Sequence, residues 1–146
     1  MEPVEVFSLI PTKDALPRAR LISEGARELG VIDGHVLEAQ YHVPSGYLLV
    51  TSEGNPFEEG LHIYLLGDDF HINDQVALSA IYHSGIFGDV AISRDECFEF
   101  TFFGNDRWRL TIRNTPRMHW LPKIGSSVRY PSGWFRRHYL QLDRVQ

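Results

Sequence analysis

The sequence predicts a mainly β protein, a meander-rich β-sandwich or barrel of about nine strands with one N-terminal α-helix packed on it. Three observations carry that expectation. Short runs in which apolar and polar residues alternate recur along most of the 146 residues. Gly, Pro, Asn and Asp punctuate these runs at short intervals. Only residues 14 to 30 repeat their apolar side chains at helical spacing.

The elements follow in order. Residues 4 to 10, VEVFSLI, read as a first strand stopped by Pro11. Asp14 fits a helix N-cap and Pro17 the first turn, while Ala15, Ala19, Ile22, Ala26 and Leu29 form a narrow stripe. Arg20 and Glu24 stand at (i, i+4), and Gly30 fits the helix end. Asp33-Gly34 then marks a turn. In 35–43, Leu37, Ala39, Tyr41 and Val43 alternate with Glu38, Gln40 and His42. After Pro44-Ser45-Gly46, YLLVTS (47–52) reads as a central strand buried on both faces. LHIYLL (61–66) and FHINDQVAL (70–78) flank a turn at 67–69. Asp74 interrupts the apolar pattern there, which predicts a bulge near Asn73. A short strand at about 89–93 leads into CFEFTFFGNDRWRLTIR (97–113), the clearest hairpin in the chain. A three-residue turn of Gly104, Asn105 and Asp106 would pair Phe102 with Trp108, Phe100 with Leu110 and Phe98 with Ile112. A slip of one residue would expose every aromatic. Residues 114–136 hold three prolines and little periodicity, and HYLQLDRV forms the last strand.

Length and composition indicate one domain, residues 1–146, with no membrane span. The acidic, proline-broken start does not read as a secretory signal, and Cys97 is the single cysteine. Both point to a reducing, cytoplasmic setting. The net charge of −5 is unevenly spread. Residues 1–106 carry five Lys/Arg against eighteen Asp/Glu, and residues 107–146 carry nine against one. The basic C-terminal segment is expected to lie against the acidic body and offset it.

If the strands from 47 to 113 run as a meander, the long loops 53–59, 79–88 and 104–106 share one end. Long loops on a rigid sheet are where sites usually sit. That end would gather Glu53, Asn55, Glu58, Glu59, Tyr82, His83, Asp89, Asn105, Asp106 and Arg107. The seven histidines show no HxH, HExxH or spaced-cysteine pattern, so neither a metal site nor another cofactor is expected. Ser84 beside His83 lacks a nucleophile-elbow context, and Cys97 has no evident activating partner.

The leading expectation is therefore a non-catalytic protein-binding domain, of the inhibitor or immunity type, that engages a protein partner through acidic and aromatic loops. A first alternative is a small-molecule or metal-dependent enzyme using His83 with loop carboxylates. A second is nucleic-acid binding through Arg129, Arg136 and Arg137, interleaved with Tyr130, Trp134, Phe135 and Tyr139. The acidic whole and the absence of a DNA or RNA motif weigh against nucleic acid.

Overall fold

A computed structural model describes residues 1–55, 59–80, 84–118, 127–133 and 136–145. These residues form thirteen strands in three open sheets, and no α-helix occurs among them. The strands are β1 (Glu2–Pro3), β2 (Phe7–Pro11), β3 (Arg18–Ser23), β4 (Arg27–Asp33), β5 (Val36–Val43), β6 (Gly46–Ser52) and β7 (Gly60–Leu66). There follow β8 (Ile72–Ser79), β9 (Gly88–Arg94), β10 (Cys97–Thr101), β11 (Arg107–Met118), β12 (Val128–Arg129) and β13 (Arg137–Val145). The sheets run β1-β5-β6-β7-β8-β12, β13-β11-β10-β9 and β2-β3-β4.

The middle of the six-stranded sheet is buried on both sides, as the run YLLVTS (47–52) predicts. Leu48, Val50, Leu61, Ile63 and Leu65 enter a core shared with Phe98, Phe100, Phe102, Trp108 and Leu110 of the β10–β11 arm. Leu49, Tyr64 and Leu66 enter a second core with Phe7, Leu21 and Ile32 of the three-stranded sheet. Alternate residues of β6 and β7 thus serve two cores at once. Gly46, at φ 147°, starts β6 because a Cβ there would lie 2.0 Å from the Leu66 carbonyl oxygen.

Several expectations are corrected. The helix over 14–30 is instead the β3–β4 hairpin. Ala19, Leu21 and Ser23 alternate inward as buried residues, and that two-residue period outweighs the helical stripe. Gly25 (φ 78°) and Ala26 (φ 60°) turn the chain, and Arg20 reaches Glu28 across the hairpin at 3.6 Å rather than Glu24. Asp14 caps no helix; its carboxylate accepts from Thr12 Oγ1 and the Leu16 amide and pairs with Arg18. The first strand is divided into β1 and β2. Between them the Gln40 side chain binds the Val6 and Phe7 amides and the Phe7 carbonyl. Residues 114–118 continue β11 rather than beginning an irregular segment.

The 97–113 hairpin keeps its faces but changes its pairing. Phe98 opposes Leu110, Phe100 opposes Trp108 and Glu99 opposes Arg109, two residues away from the expected register. The loop is Phe103-Gly104-Asn105, closed by the Phe102 amide donating to the Asp106 carbonyl at 3.0 Å. A shift of two preserves the pleat, so Phe98, Phe100, Phe102, Trp108, Leu110 and Ile112 all remain buried. Phe103 (φ 59°) and Gly104 (φ 70°) supply the left-handed turn. Phe103 is held there against Phe102, with ring centroids 4.6 Å apart.

Candidate functional site

The strands from 47 to 113 do not run as one meander: β6-β7-β8 belong to the six-stranded sheet and β9-β10-β11 to the four-stranded one. The β6–β7, β8–β9 and β10–β11 connections converge on a cleft of about 550 Å³, lined by Gly54, Glu59, Ser84, Gly85, Ile86 and Gly104. Three of these six are glycines, so much of the wall is bare backbone. Gly54 and Gly104 hold left-handed φ values of 75° and 70°. Gly85 lies on the Phe102 ring, where a Cβ would approach to 2.7 Å, and this seats the β8–β9 loop on the hairpin. Ile86 stands at the cleft with 85% of its surface exposed.

The expected site residues divide by surroundings. Glu58, Tyr82 and His83 lie outside the described residues. Glu59 is buried, and its Oε1 accepts from the amides of Glu53 (2.7 Å), Gly54 (3.0 Å) and Gly60 (3.2 Å). Burial raises its carboxyl above the ordinary range, against the lowering by those amides. Glu59 thus acts as a brace that shapes the β6–β7 loop. Glu53 turns its Oε2 to His62 Nε2 at 2.8 Å, on the face of β7 shared with Tyr64. His62 is buried, and its Nδ1 has no partner among the described residues.

Asn55 and Asn105 are exposed at the loop tips. Asp106 accepts from Arg144 at 2.9 Å. Arg107 turns to Glu99 (2.9 Å) and to the Asp89 carbonyl oxygen (3.2 Å), which ties β9 to β11 across β10. Asp89 itself is exposed at φ 47°. The Arg107 and Arg109 side chains hold the Glu99 carboxyl below the usual range. The structure therefore gathers Glu59 with Gly54, Ile86 and Gly104 at the cleft, while Arg107 belongs to a neighbouring ion-pair cluster with Glu99 and Arg109 that the Asp89 main-chain carbonyl joins.

The basic C-terminal segment offsets the acidic body only in part. Arg107, Arg109 and Arg144 pair with Glu99 and Asp106. Among the described residues, Arg117, Arg129, Arg136 and Arg137 form no ion pair.

Sequence reasoning flagged Asp74 only as an interruption, yet it anchors β13 to β8. The register shift sits where Asn73 was expected to bulge, with Leu65 opposite Asp74 and Leu66 opposite Ile72. The bulge directs the Asp74 carboxylate inward. Its Oδ1 accepts from the Gln75 amide (2.8 Å) and His138 Nδ1 (2.9 Å), and its Oδ2 from the amides of Tyr139 (2.8 Å) and Leu140 (2.9 Å). His138 Nε2 lies 2.7 Å from the Gly133 carbonyl oxygen. The two ring nitrogens of His138 thus bridge the Asp74 carboxylate and the Gly133 carbonyl oxygen. Tyr130 stacks on this ring with centroids 4.1 Å apart.

A second polar knot joins the three-stranded sheet to the centre of the molecule. Tyr64 Oη accepts from the Asp33 amide and Gln75 Nε2, each at 2.9 Å, and Gln75 Nε2 also reaches Asp33 Oδ2 at 3.1 Å. Burial raises the Tyr64 hydroxyl above its ordinary value.

Among the described residues, no group of three or more His, Cys, Asp or Glu is arranged to hold a metal ion. No described helix is long and apolar enough to cross a membrane. No protein-family model, no curated protein and no solved structure matches the chain.

Proposed function

We propose that the chain is a non-catalytic protein-binding domain, its two larger sheets stacked as a sandwich, that receives a protein partner at the long-loop end. The observation that carries this reading is the convergence of three loops on one glycine-lined cleft beside an almost fully exposed isoleucine. A single exposed aliphatic side chain is ordinary. Beside a concave wall of bare backbone, it supplies the apolar anchor around which interface hot spots form. Gly54, Gly85 and Gly104 leave the cleft wall free of side chains at those positions, and Glu59 adds an acceptor at its edge. The inhibitor or immunity-type role is supported by this design, in which a β body presents long loops, one of them braced by Glu59. A cytoplasmic setting is part of the proposal, since Cys97 is buried and free as a thiol.

The test has two stages. A photo-crosslinking residue at position 86, with a control at Ser8 on the three-stranded sheet, identifies the partner in cells of origin. Calorimetry with that purified partner then compares the native chain with Ile86→Asp. Loss of the buried aliphatic group, worth about 1.5–3 kcal/mol, weakens binding roughly tenfold to a hundredfold. An adduct equally strong at Ser8, or unchanged affinity in Ile86→Asp, would refute the site.

A further inference from the structure

At β8 and β13 the chain forms a second concavity, of about 300 Å³, lined by Asn73, Asp74, Gln75, Ser132, Arg136 and Arg137 among others. We infer that this cleft is an anion-binding site for a phosphate group carried on a small molecule, separate from the loop-end cleft. Three observations support the assignment.

The first is charge. Arg136 and Arg137 are exposed and form no ion pair among the described residues, whereas Arg107, Arg109 and Arg144 of the same basic segment do. Among the described residues Asp74 is the acid lining the cleft, and both its oxygens are already engaged, by three amides and His138. Among the described residues, the cleft therefore presents two guanidinium groups that form no ion pair.

The second is geometry. Adjacent residues on a regular strand point to opposite faces. Arg136 stands in the bend before β13 begins at Arg137, and this break in the pleat lets both side chains line one cleft. The third is donor number. Each guanidinium offers a two-pronged fork, and Ser132 adds a hydroxyl. Two forks exceed what the two oxygens of a carboxylate use and match a phosphate's three.

The rigidity of the setting adds to this. The Asp74–His138 pair, with His138 also bound to the Gly133 carbonyl, fixes the 130–133 turn against β8. The arginines are thereby held over the cleft without being consumed by it.

The experiment is an amide NMR titration of the full chain with inorganic phosphate, phenyl phosphate and acetate, each against sodium chloride at matched ionic strength. Saturable shifts centred on Ser132 and Arg137 with either phosphate probe support the site, and the tighter of the two tells free phosphate from a phosphate ester. The variant Arg136→Gln/Arg137→Gln should weaken that binding by about tenfold or more, as expected for lost charge-assisted hydrogen bonds. Acetate binding as tight as phosphate, shifts reproduced by chloride, or unchanged affinity in the double variant would each overturn the proposal. The comparison of anions on the native chain stands even if the double variant fails to fold.

Discussion

Replacing Asp74 is the perturbation that the fold should feel most. Its carboxylate is 7% exposed and accepts four hydrogen bonds, one from the His138 ring and three from main-chain amides. Asp74→Asn keeps the shape but removes the charge and turns an NH₂ group toward donors. Breaking a buried carboxylate–histidine pair by removing one partner costs about 3–5 kcal/mol, because the donors that the carboxylate satisfied are left without it. For a chain of this length that corresponds to a melting temperature lower by roughly 6–20 °C. Urea unfolding should show the midpoint falling with the m value unchanged, so that stability and not compactness accounts for the change. His138→Gln and the double variant complete a thermodynamic cycle, with a coupling of about 0.5–3 kcal/mol expected for residues in direct contact. A loss below about 1 kcal/mol in Asp74→Asn, or strict additivity in the cycle, would refute the claim that this pair ties β13 to β8.

Two further substitutions address the other polar groups. Tyr64→Phe leaves the Asp33 amide and the Gln75 side chain without their shared acceptor, and urea unfolding should show a loss of about 1–3 kcal/mol. Glu59 predicts a pH dependence. Burial raises its folded-state carboxyl above the unfolded value, so the folded chain holds that proton more tightly. The resulting stabilisation is complete below the ordinary carboxylate range and is lost as pH rises through the raised value. Glu59→Gln fixes the neutral form, so its stability relative to the native chain should rise from acid to neutral pH, and parallel unfolding curves would contradict this. Glu99 has the opposite sign. The arginines lower its carboxyl, so the stabilisation lost in Glu99→Gln should be present at neutral pH and vanish as pH falls through that lowered value.

Much of the fold is legible where burial leaves one arrangement. The run 47–52 has no polar face to expose, and it forms a strand buried between two cores. Asp74 breaks an otherwise alternating strand, and a bulge lies beside it. The hairpin shows where legibility ends. Its aromatic alternation fixes which faces are buried, but a two-residue shift leaves those faces unchanged. Only the turn decides the pairing, and Phe103 in a left-handed conformation is not a residue that turn chemistry would nominate. Residues 14–30 fail for a different reason. Ala19, Leu21 and Ser23 satisfy a two-residue period while Ala19, Ile22 and Ala26 approximate a helical one, and tertiary burial selects the first.

The candidate site is legible to the same extent. Loop lengths single out the β6–β7, β8–β9 and β10–β11 connections, and described residues of all three line the glycine-lined cleft. Their individual roles are not. Glu59 braces a loop, and Arg107 pairs along the sheet, because local hydrogen bonding assigns side chains that spacing leaves undetermined. Asp74 and His138 lie 64 residues apart, and no local pattern joins them. That Arg136 and Arg137 form no ion pair among the described residues depends on which neighbours the acids choose, a property of the folded chain alone.

The most direct test of the central claim is calorimetric titration of the crosslinked partner, once purified, against the native chain, Ile86→Asp and Arg136→Gln/Arg137→Gln. Binding at the loop end predicts an affinity roughly tenfold to a hundredfold weaker for Ile86→Asp and unchanged for the arginine pair at the other cleft. Native-like affinity in Ile86→Asp, or a loss confined to the arginine variant, would contradict it.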